Sequence, residues 1–344
     1  MREALEADAG LRLDFVSPLP PSRSGIADYS GDLLQWLKPL CDLRVIRLTG
    51  QEVGEEMDRR WKAVPADRLA EDGRLPLYQM GNNRHHMEIW RLAHDTPGIL
   101  TLHDLVLHHL LIELTLGEGD LEAYPDRLEA DHGWAGRAVA EARPYGELGQ
   151  ASMFGLPARR TLLRRQRGVL VHSEWAAKTI RDSDPEIVVR AVPMGIPLPP
   201  PPDPEETAEW RRRIGIPEGA PLIGSFGFQT PIKRTDRALA ALASEALETV
   251  HLAIGGEVSE QLDLEEMAAR AGVADRVHFL GFLDFREFET AIGACDRCLN
   301  LRYPTAGATS AALRRGLAVG RPAVGCDYAR FAELADAVAV RGRC

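Results

Sequence analysis

The chain has 344 residues, 45% of them hydrophobic and 27% charged, and a formal net charge of −10 at pH 7. This length predicts two domains of ordinary size, and the acidic balance argues against general nucleic-acid binding, which needs a basic surface. The first ten residues lack the apolar core of a signal peptide. No apolar run approaches the roughly 20 residues of a membrane helix. We therefore expect a soluble, cytoplasmic protein.

In the first half of the chain, short apolar runs alternate with helical patterns. The predicted strands cover residues 11–18, 43–48, 75–80, 98–104, 168–173 and 187–193. Helical patterns, such as 26–40 and 173–182, lie between these strands. The alternation predicts a parallel sheet with helices on both faces, in a first domain that spans residues 1–196.

A proline-rich segment follows this domain. Pro197, Pro199 to Pro202 and Pro204 disfavour regular helix and favour a stiff, extended connection. Residues 197–217 are therefore predicted to be a linker, with a proline-rich ligand for a partner domain as the alternative interpretation.

The alternation of strands and helices then restarts, in a second domain that spans residues 218–344. Its predicted strands cover residues 221–227, 250–256, 277–281, 297–303 and 322–327. The chain as a whole is thus predicted to be α/β, with two doubly wound parallel sheets. Ligands of such sheets bind at the carboxyl ends of the strands, so the turns after the strands are the candidate sites.

The five cysteines do not have the spacing of a disulfide framework and are typical of a reducing compartment. Cys295 and Cys298 form a C-x-x-C pair. Because Cys298 enters a predicted strand, the pair favours a buried structural role over redox or metal chemistry.

Three turns of the first domain carry polar groups after predicted strands. Gly25 precedes a predicted helix, whose N-terminus offers N–H groups to an anion, although a plain turn explains the glycine equally well. Asn82 and His86 follow the third strand. His103 and Asp104 follow the fourth strand, where a histidine suits hydrogen bonding to a sugar hydroxyl or proton transfer, with a structural role as the alternative. No metal ligand set is evident.

Two turns of the second domain suit an anion. Gly227 ends a strand, and Lys233 and Arg234 come just before a helix, where a fixed cation suits a diphosphate. A solvated loop is the alternative, and no full Walker pattern is present. Thr309 and Ser310 begin another predicted helix, whose dipole suits a second phosphate contact.

A basic segment at residues 157–168 stands out against the acidic whole. It suits contact with an anionic lipid surface or a phosphorylated acceptor, and a solvated helix face is the alternative.

Several quoted segments together resemble glycosyltransferase family 4, the retaining GT-B enzymes. The segments are SPLPPSRSGIADYS, YQMGNNRHHMEIWRLAHDTPGILTLHDLVLHH, VHSEWA, VPMGI, GFQTPIKR, LGFLD and NLRYPTAGATS with GRPAVGCD, which together run from about residue 11 to 338. The resemblance implies two Rossmann-like domains facing a cleft. It also implies transfer of a sugar from a nucleotide diphosphate donor, UDP or GDP, to the hydroxyl of a glycan or lipid-linked acceptor. Neither a catalytic metal nor a further cofactor is expected.

The resemblance also implies roles for individual residues. Lys233 matches the diphosphate-binding lysine, Gly25 the loop near the donor phosphates, and His103 the histidine beside the reacting sugar. Thr309 and Ser310 match the helix start that meets the diphosphate. Lys233 and the helix N-termini would stabilise the negative charge that develops on the diphosphate.

The sequence departs from the family pattern at two aligned glutamates, where it has Ala308 and Arg315. The usual terminal helices are also not evident after the last apparent strand. These departures favour an alternative function, a catalytically weak or inactive GT-B protein that binds a nucleotide sugar and partners an active enzyme. A related GT-B activity, such as nucleotide-sugar epimerisation, is a further alternative.

Overall fold

A computed structural model of the chain describes residues 10–22, 24–145, 149, 151–334 and 338–342, with only the backbone described at position 341. The chain divides into two compact units. The first unit contains Met1–Gly195 and Ala306–Thr309, and the second contains Ile196–Thr305 and Ser310–Cys344. Each unit is built on one parallel sheet.

The first unit has a seven-stranded parallel sheet with the order β3-β2-β1-β4-β5-β6-β7. Its strands are β1 (Arg12–Val16), β2 (Asp42–Arg47), β3 (Val64–Pro65), β4 (Leu75–Met80), β5 (Ile99–Leu102), β6 (Gly168–Val171) and β7 (Val189–Ala191). The strand order reverses direction beside β1, which is the mark of a doubly wound sheet. Fully buried side chains, including Phe15, Tyr78 and Leu100, fill its core.

The helices of the first unit lie between these strands along the chain. They are α1 (Gly25–Leu37), α2 (Glu55–Trp61), α3 (Met87–Asp95), α4 (His108–Leu114), α5 (Ala123–His132), α6 (Trp134–Ala142), α7 (Ala151–Gly155), α8 (Arg160–Arg165) and α9 (Glu174–Ser183). Serine side chains fix two of the helix starts. Ser24 accepts a hydrogen bond from Ile26 N at 3.3 Å, and Ser173 accepts one from Ala176 N at 3.2 Å.

The second unit has a six-stranded parallel sheet with the order β10-β9-β8-β11-β12-β13. Its strands are β8 (Leu222–Phe226), β9 (His251–Gly255), β10 (Val277–Gly281), β11 (Arg297–Asn300), β12 (Ala323–Cys326) and β13 (Ala339–Gly342). Its helices are α10 (Pro204–Arg213), α11 (Thr235–Leu242), α12 (Leu264–Arg270), α13 (Phe285–Ala294) and α14 (Ala311–Ala318).

The structure confirms the strands predicted from the apolar runs and adds β3 between two of them. The prediction missed β3 because Val64 and Pro65 form only a two-residue strand. The prediction that prolines exclude helix from residues 197–217 was wrong. Pro204 occupies the first turn of α10, where a missing N–H does no harm, and the Asp203 side chain accepts a hydrogen bond from Glu205 N at 2.8 Å.

The cysteines have more than one environment. Cys295 and Cys298 are free and buried in the core of the second unit. Cys326 is disulfide-bonded, which differs from the expectation of reduced thiols, and its partner lies outside the described residues.

Candidate functional site

The carboxyl edge of the first sheet holds the polar residues that the sequence singled out there. The Asn82 backbone N–H donates to Asp104 Oδ2 at 3.1 Å, and Asn82 Oδ1 accepts from Leu110 N at 2.9 Å. The loops after β4 and β5 are therefore tied to each other and to α4. The structure thus brings Asn82 and Asp104 together, as polar groups of one edge.

Gly25 is the first residue of α1 at this edge of the sheet. A Cβ atom added at Gly25 would meet nothing within 4 Å, and the residue does not have a positive φ. Neither crowding nor backbone strain therefore requires a glycine there. The space beside Gly25 is open, although the N–H groups of Ile26 and Asp28 in this first turn already donate to Ser24.

His86 is fully buried and has one unused ring nitrogen. Its Nδ1 lies 2.9 Å from Asn83 Oδ1, an acceptor, so Nδ1 carries the proton and Nε2 is left as an acceptor. Nε2 is buried and has no hydrogen-bond partner in the described part of the chain. Burial, and then nearby His85, lowers the pKa of His86 to about 3, so the ring is neutral.

His103 lies in a cluster of buried rings and uses both of its ring nitrogens. Nε2 is 2.9 Å from Gln79 Oε1, and Nδ1 is 3.3 Å from His172 Nε2. The ring of Tyr29 forms a T-shaped contact with each imidazole, at centroid distances of 5.2 and 5.5 Å. Burial, and then the neighbouring His172 and His86, lowers the pKa of His103 well below its ordinary value.

Sequence reasoning did not single out Tyr29, Gln79 or His172. The signal for His172 was present, because it follows β6 just as His103 follows β5. Gln79 is a polar residue within an apolar strand, a position that demands a buried hydrogen-bond partner. Tyr29 lies on α1 and gives no such signal.

The turn before α14 belongs partly to each unit. Ala306–Thr309 groups with the first unit, where the Leu105 N–H donates to Ala306 O at 2.6 Å. Gly307 has a φ of +75°, and a Cβ there would lie 2.4 Å from Leu105 Cγ. Both constraints explain this glycine.

Ser310 groups with the second unit and caps α14 by accepting a hydrogen bond from Leu313 N at 3.2 Å. The helix itself begins at Ala311. Ser310 therefore lies at the predicted helix start, although its hydroxyl already serves the helix's own backbone.

Lys233 is the central charge at the carboxyl edge of the second sheet. Its ammonium group donates to the carbonyl oxygen of Phe226, the last residue of β8. Gly227, which follows, has a φ of +88°, and a Cβ there would lie 3.1 Å from Lys233 Nζ. Burial, and then nearby Arg302, lowers the pKa of Lys233 well below its ordinary value. Among the described residues, no carboxylate forms a salt bridge with Lys233.

A buried amide supports the turn that contains Gly227. Gln229 Nε2 donates to Gly227 O at 2.8 Å, and Gln229 Oε1 accepts from the Thr235 hydroxyl at 2.8 Å. Gly256 packs so closely that a Cβ there would lie 2.5 Å from Gly227 O. Sequence reasoning did not identify Gln229, and it named Thr235 only as a possible cap of α11, whereas the Thr235 hydroxyl bonds to Gln229 and holds this turn against the helix.

The other arginines of the predicted donor site have partners of their own. Arg234 pairs with Asp236 through contacts of 3.2 and 3.3 Å. Arg315 stacks its guanidinium over Phe285 at 4.5 Å and lies 3.6 Å from Glu289. These contacts engage both arginines with neighbouring groups, whereas the charge of Arg302 lies close enough to Lys233 to lower its pKa.

The basic segment at residues 157–168 is tied into the first unit. Arg160 and Arg164 both pair with Asp184, at 3.1 and 2.5 Å. The hydrogen bond from Arg164 is the main reason that the pKa of Asp184 is lowered to about 2. Arg159 donates to Leu105 O at 2.5 Å. Much of the positive charge is therefore neutralised or used within the unit.

Two features of the described residues bear on other kinds of site. No described helix is long and apolar enough to cross a membrane. Within the same residues, no group of three or more histidine, cysteine, aspartate or glutamate side chains has the geometry to hold a metal ion.

The two parallel-sheet α/β units, with seven and six strands, have the GT-B glycosyltransferase fold. Among solved structures, the chain is similar to sucrose-phosphate synthase from Thermosynechococcus elongatus, with a TM-score of 0.64 and 14% identity over 97% of this chain and 86% of that one. It is also similar to Anabaena HepE in complex with UDP-glucose, with a TM-score of 0.58 and 14% identity over 95% and 83% of the two chains. The glycosyltransferase WaaG, which is involved in lipopolysaccharide biosynthesis, gives a TM-score of 0.51 and 14% identity over 93% and 82%.

A similarity in sequence covers a smaller part of the chain. Over 132 residues, it is 30% identical to 2-deoxystreptamine glucosyltransferase from Streptomyces kanamyceticus. The matched region is 36% of this chain and spans about a third of the length of that relative, 34%. No protein-family model matches the chain.

Proposed function

We propose that the chain is a retaining glycosyltransferase of family 4, which moves a sugar from a nucleoside diphosphate donor to an acceptor hydroxyl without a catalytic metal. The GT-B fold and the 132-residue similarity to a glucosyltransferase support this proposal. The observation that carries it is Lys233, a half-buried lysine at the carboxyl edge of the second sheet, whose ammonium group donates to a backbone carbonyl.

The chemistry of the proposed donor site follows from this charge. Breaking the bond between sugar and phosphate leaves negative charge on the diphosphate, and Lys233 would stabilise that charge where it develops. The glycine turn at Gly227 lets the phosphates approach the backbone. The N-terminus of α14, after Thr309 and Ser310, would add a favourable dipole. Arg234, paired with Asp236, contributes less.

The acceptor-side groups of the proposal lie on the first unit. His86 belongs to this acceptor side in the proposal, but its neutral ring is fully buried, so it would support the surrounding loop and not touch the acceptor directly. Asn82 and Asp104 fix the loops around it. The reacting hydroxyl would lose its proton to the departing phosphate, so no protein nucleophile is needed. His103 would lie beside the reacting sugar, and Gly25 near the donor phosphates.

UDP is the first donor nucleotide to test, because HepE has been solved with UDP and with UDP-glucose. GDP is the alternative nucleotide. The acceptor in this proposal is a glycan or a lipid-linked glycan, and the reaction takes place in the cytoplasm. Contact with a membrane surface would need the arginines near residue 160, of which Arg160 and Arg164 already pair with Asp184.

Calorimetric titration of the purified chain with UDP and with GDP tests the donor site. We expect micromolar binding of one nucleotide, and loss of most of that affinity in Lys233→Ala. Arg237→Ala is the matched control, because Arg237 is an exposed cation on α11, four residues away. If neither nucleotide binds, or if the two variants weaken binding equally, the assignment of Lys233 is wrong.

One observation favours a second candidate function, a catalytically weak nucleotide-sugar-binding protein that partners an active enzyme. Ala308 stands where the family pattern has a glutamate near the donor sugar, and a methyl group can neither accept a hydrogen bond nor carry charge. Ala308→Glu separates the two functions. A large gain in sugar transfer with unchanged nucleotide affinity would favour the weak binder, and no gain would favour the active enzyme.

A further inference from the structure

A buried line of hydrogen bonds crosses four neighbouring strand ends of the first unit. It runs from Gln79 to His103 at 2.9 Å, from His103 to His172 at 3.3 Å, and from His172 Nδ1 to Val192 O at 3.0 Å. Gln79 also contacts the Thr101 hydroxyl on the adjacent strand at 3.3 Å. Gln79 is fully buried, and each imidazole is only 6% exposed. Water therefore contributes little to these bonds.

The backbone carbonyl at one end of this line determines which nitrogen atoms along it carry protons. Val192 O is a backbone carbonyl and only accepts, so His172 Nδ1 carries a proton. A neutral His172 then has a lone pair on Nε2, and this lone pair requires a proton on the facing His103 Nδ1. A neutral His103 in turn has a lone pair on Nε2, which faces the side-chain amide of Gln79.

The Gln79 amide completes the line in one orientation only. The lone pair on His103 Nε2 needs a donor, so the amide N–H2 must face His103 and the amide oxygen must face Thr101. The oxygen and nitrogen of an amide are assigned from the network and not from their positions, so exchanging them keeps the geometry. Thr101 accommodates this orientation because a hydroxyl group both donates and accepts.

The alternative is an extra proton shared between the two imidazoles, with the Gln79 oxygen facing His103. The groups that face the pair disfavour this charge. Among the described residues they include the second imidazole, neutral His86 and the ring of Tyr29, whose pKa burial raises to about 12. None of them supplies a negative charge, and burial without a counter-charge disfavours an imidazolium.

We propose that Gln79 and His172 are positioning residues that hold His103 as the neutral Nδ1–H tautomer. Both ring nitrogens of His103 are then engaged, and Nε2 is an acceptor of the Gln79 amide. During sugar transfer, His103 consequently acts as a fixed, neutral side chain that lines the site, and not as a general acid or base. This role of His103 in catalysis rests on the proposed function, whereas its tautomer is a property of the protein without any ligand.

Nitrogen NMR of the full chain with ¹⁵N-labelled histidine tests the tautomer without any ligand. We expect His103 and His172 to show a protonated Nδ1 and an unprotonated Nε2 near neutral pH, with assignments from His103→Gln and His172→Gln. His108 is the internal control, because its Nδ1 faces Leu156 O at 2.6 Å and its Nε2 faces the Tyr124 hydroxyl at 2.7 Å. A protonated Nε2 on His103, or an imidazolium in the pair, would overturn the proposal.

Gln79→Glu tests the same proposal by changing the last group in the line. A carboxylate only accepts, so His103 Nε2 must become protonated and the pair must take up one proton. We expect the Nε2 signal of His103 to change from unprotonated to protonated. An unchanged signal in the folded variant, together with an ionised carboxyl group at position 79 by ¹³C NMR, would contradict the proposed role of Gln79.

The activity test uses the same variant and separates this inference from the proposed function. In Gln79→Glu we expect kcat to fall roughly tenfold to a hundredfold, because misplacement of a site group costs about this much. Nucleotide affinity and donor KM stay the same, and a new dependence of kcat on pH appears as the pair titrates. His108→Gln should leave the pH profile unchanged. If the wild-type chain binds no nucleotide, the proposed function fails while the NMR result still decides the tautomer.

Discussion

The first unit buries a carboxylate fully and the second buries an ammonium group in part, and the surroundings of the two charges differ. Asp14, fully buried on β1, receives two hydrogen bonds of 2.8 Å from Arg44 and one of 3.0 Å from Arg74. Lys233 donates to the backbone carbonyl of Phe226 and has no salt bridge among the described residues. A buried charge with partners supports the fold, whereas one without a counter-charge costs stability and is typical of a functional site.

The largest effect should come from breaking the paired charge. Asp14→Asn leaves the Arg44 and Arg74 guanidinium groups without their shared buried anion, and we expect the free energy of unfolding to fall by about 3–5 kcal/mol. Urea unfolding followed by circular dichroism measures this loss. Asp182→Asn is the control, since its ion pair with Lys178 is exposed and such pairs contribute about 0–1 kcal/mol. Equal losses in both variants would contradict the distinction.

The unpaired charge should behave in the opposite way. Lys233→Met keeps a long apolar side chain and removes a half-buried cation that has no salt bridge among the described residues, so we expect the free energy of unfolding to be unchanged or slightly higher. Nucleotide affinity should fall roughly tenfold to a hundredfold, because hydrogen bonds to charged groups contribute about 1.5–3 kcal/mol. Thermal unfolding and calorimetric titration of one preparation measure both effects. A variant that is less stable and binds normally would make Lys233 a structural residue.

Much of the fold could be predicted because the apolar runs of both sheets are short, regularly spaced and separated by helical patterns. The prediction failed where the prolines were given more weight than the helical pattern that follows them. The prolines before position 204 indicated an extended linker, but Asp203 and Pro204 together form a helix start. Trp210, which is 4% exposed, then fixes α10 against the core of the second unit.

The site could be predicted only in part, because a sequence shows which residues follow strands but not which side chains meet. Lys233 and His103 were identified by their places after strands. Their partners Gln229, Gln79 and His172 depend on contacts between different strands and loops, which no spacing along the chain encodes. The engagement of Arg234 and Arg315 by neighbouring groups was likewise visible only in three dimensions.

Acid should weaken the first unit through its neutral buried histidines. The pKa of His86 is about 3 in the folded chain and near 6.5 in an unfolded one, so only the unfolded state takes up a proton between these values. The stability from His86 is fully present above pH 6.5 and is lost as the pH falls toward 3, by about 1.4 kcal/mol per pH unit.

Urea unfolding of the wild type and of His86→Gln at several pH values tests this dependence. The free energy of unfolding should depend less steeply on pH in His86→Gln, because up to one fewer proton is taken up on unfolding. His109→Gln, which changes an exposed histidine on α4, should keep the wild-type slope. Identical slopes in all three proteins would show that His86 takes no part in acid unfolding.

The smallest effect concerns the response of nucleotide binding to pH. Burial lowers the pKa of Lys233 in the free protein, and a bound diphosphate raises it again by supplying the missing anion. Binding therefore takes up protons between the free and bound pKa values, and affinity falls as the pH rises through this range, by at most about tenfold per pH unit.

Titrations above about pH 7.5 avoid ionisation of the terminal phosphate, whose pKa is about 6. Repeating these titrations in buffers of different ionisation enthalpy measures the proton uptake directly. Lys233→Arg should bind without this dependence, because a guanidinium keeps its proton throughout. Proton release on binding, or the same uptake in Lys233→Arg, would mean that Lys233 is not the group that meets the diphosphate.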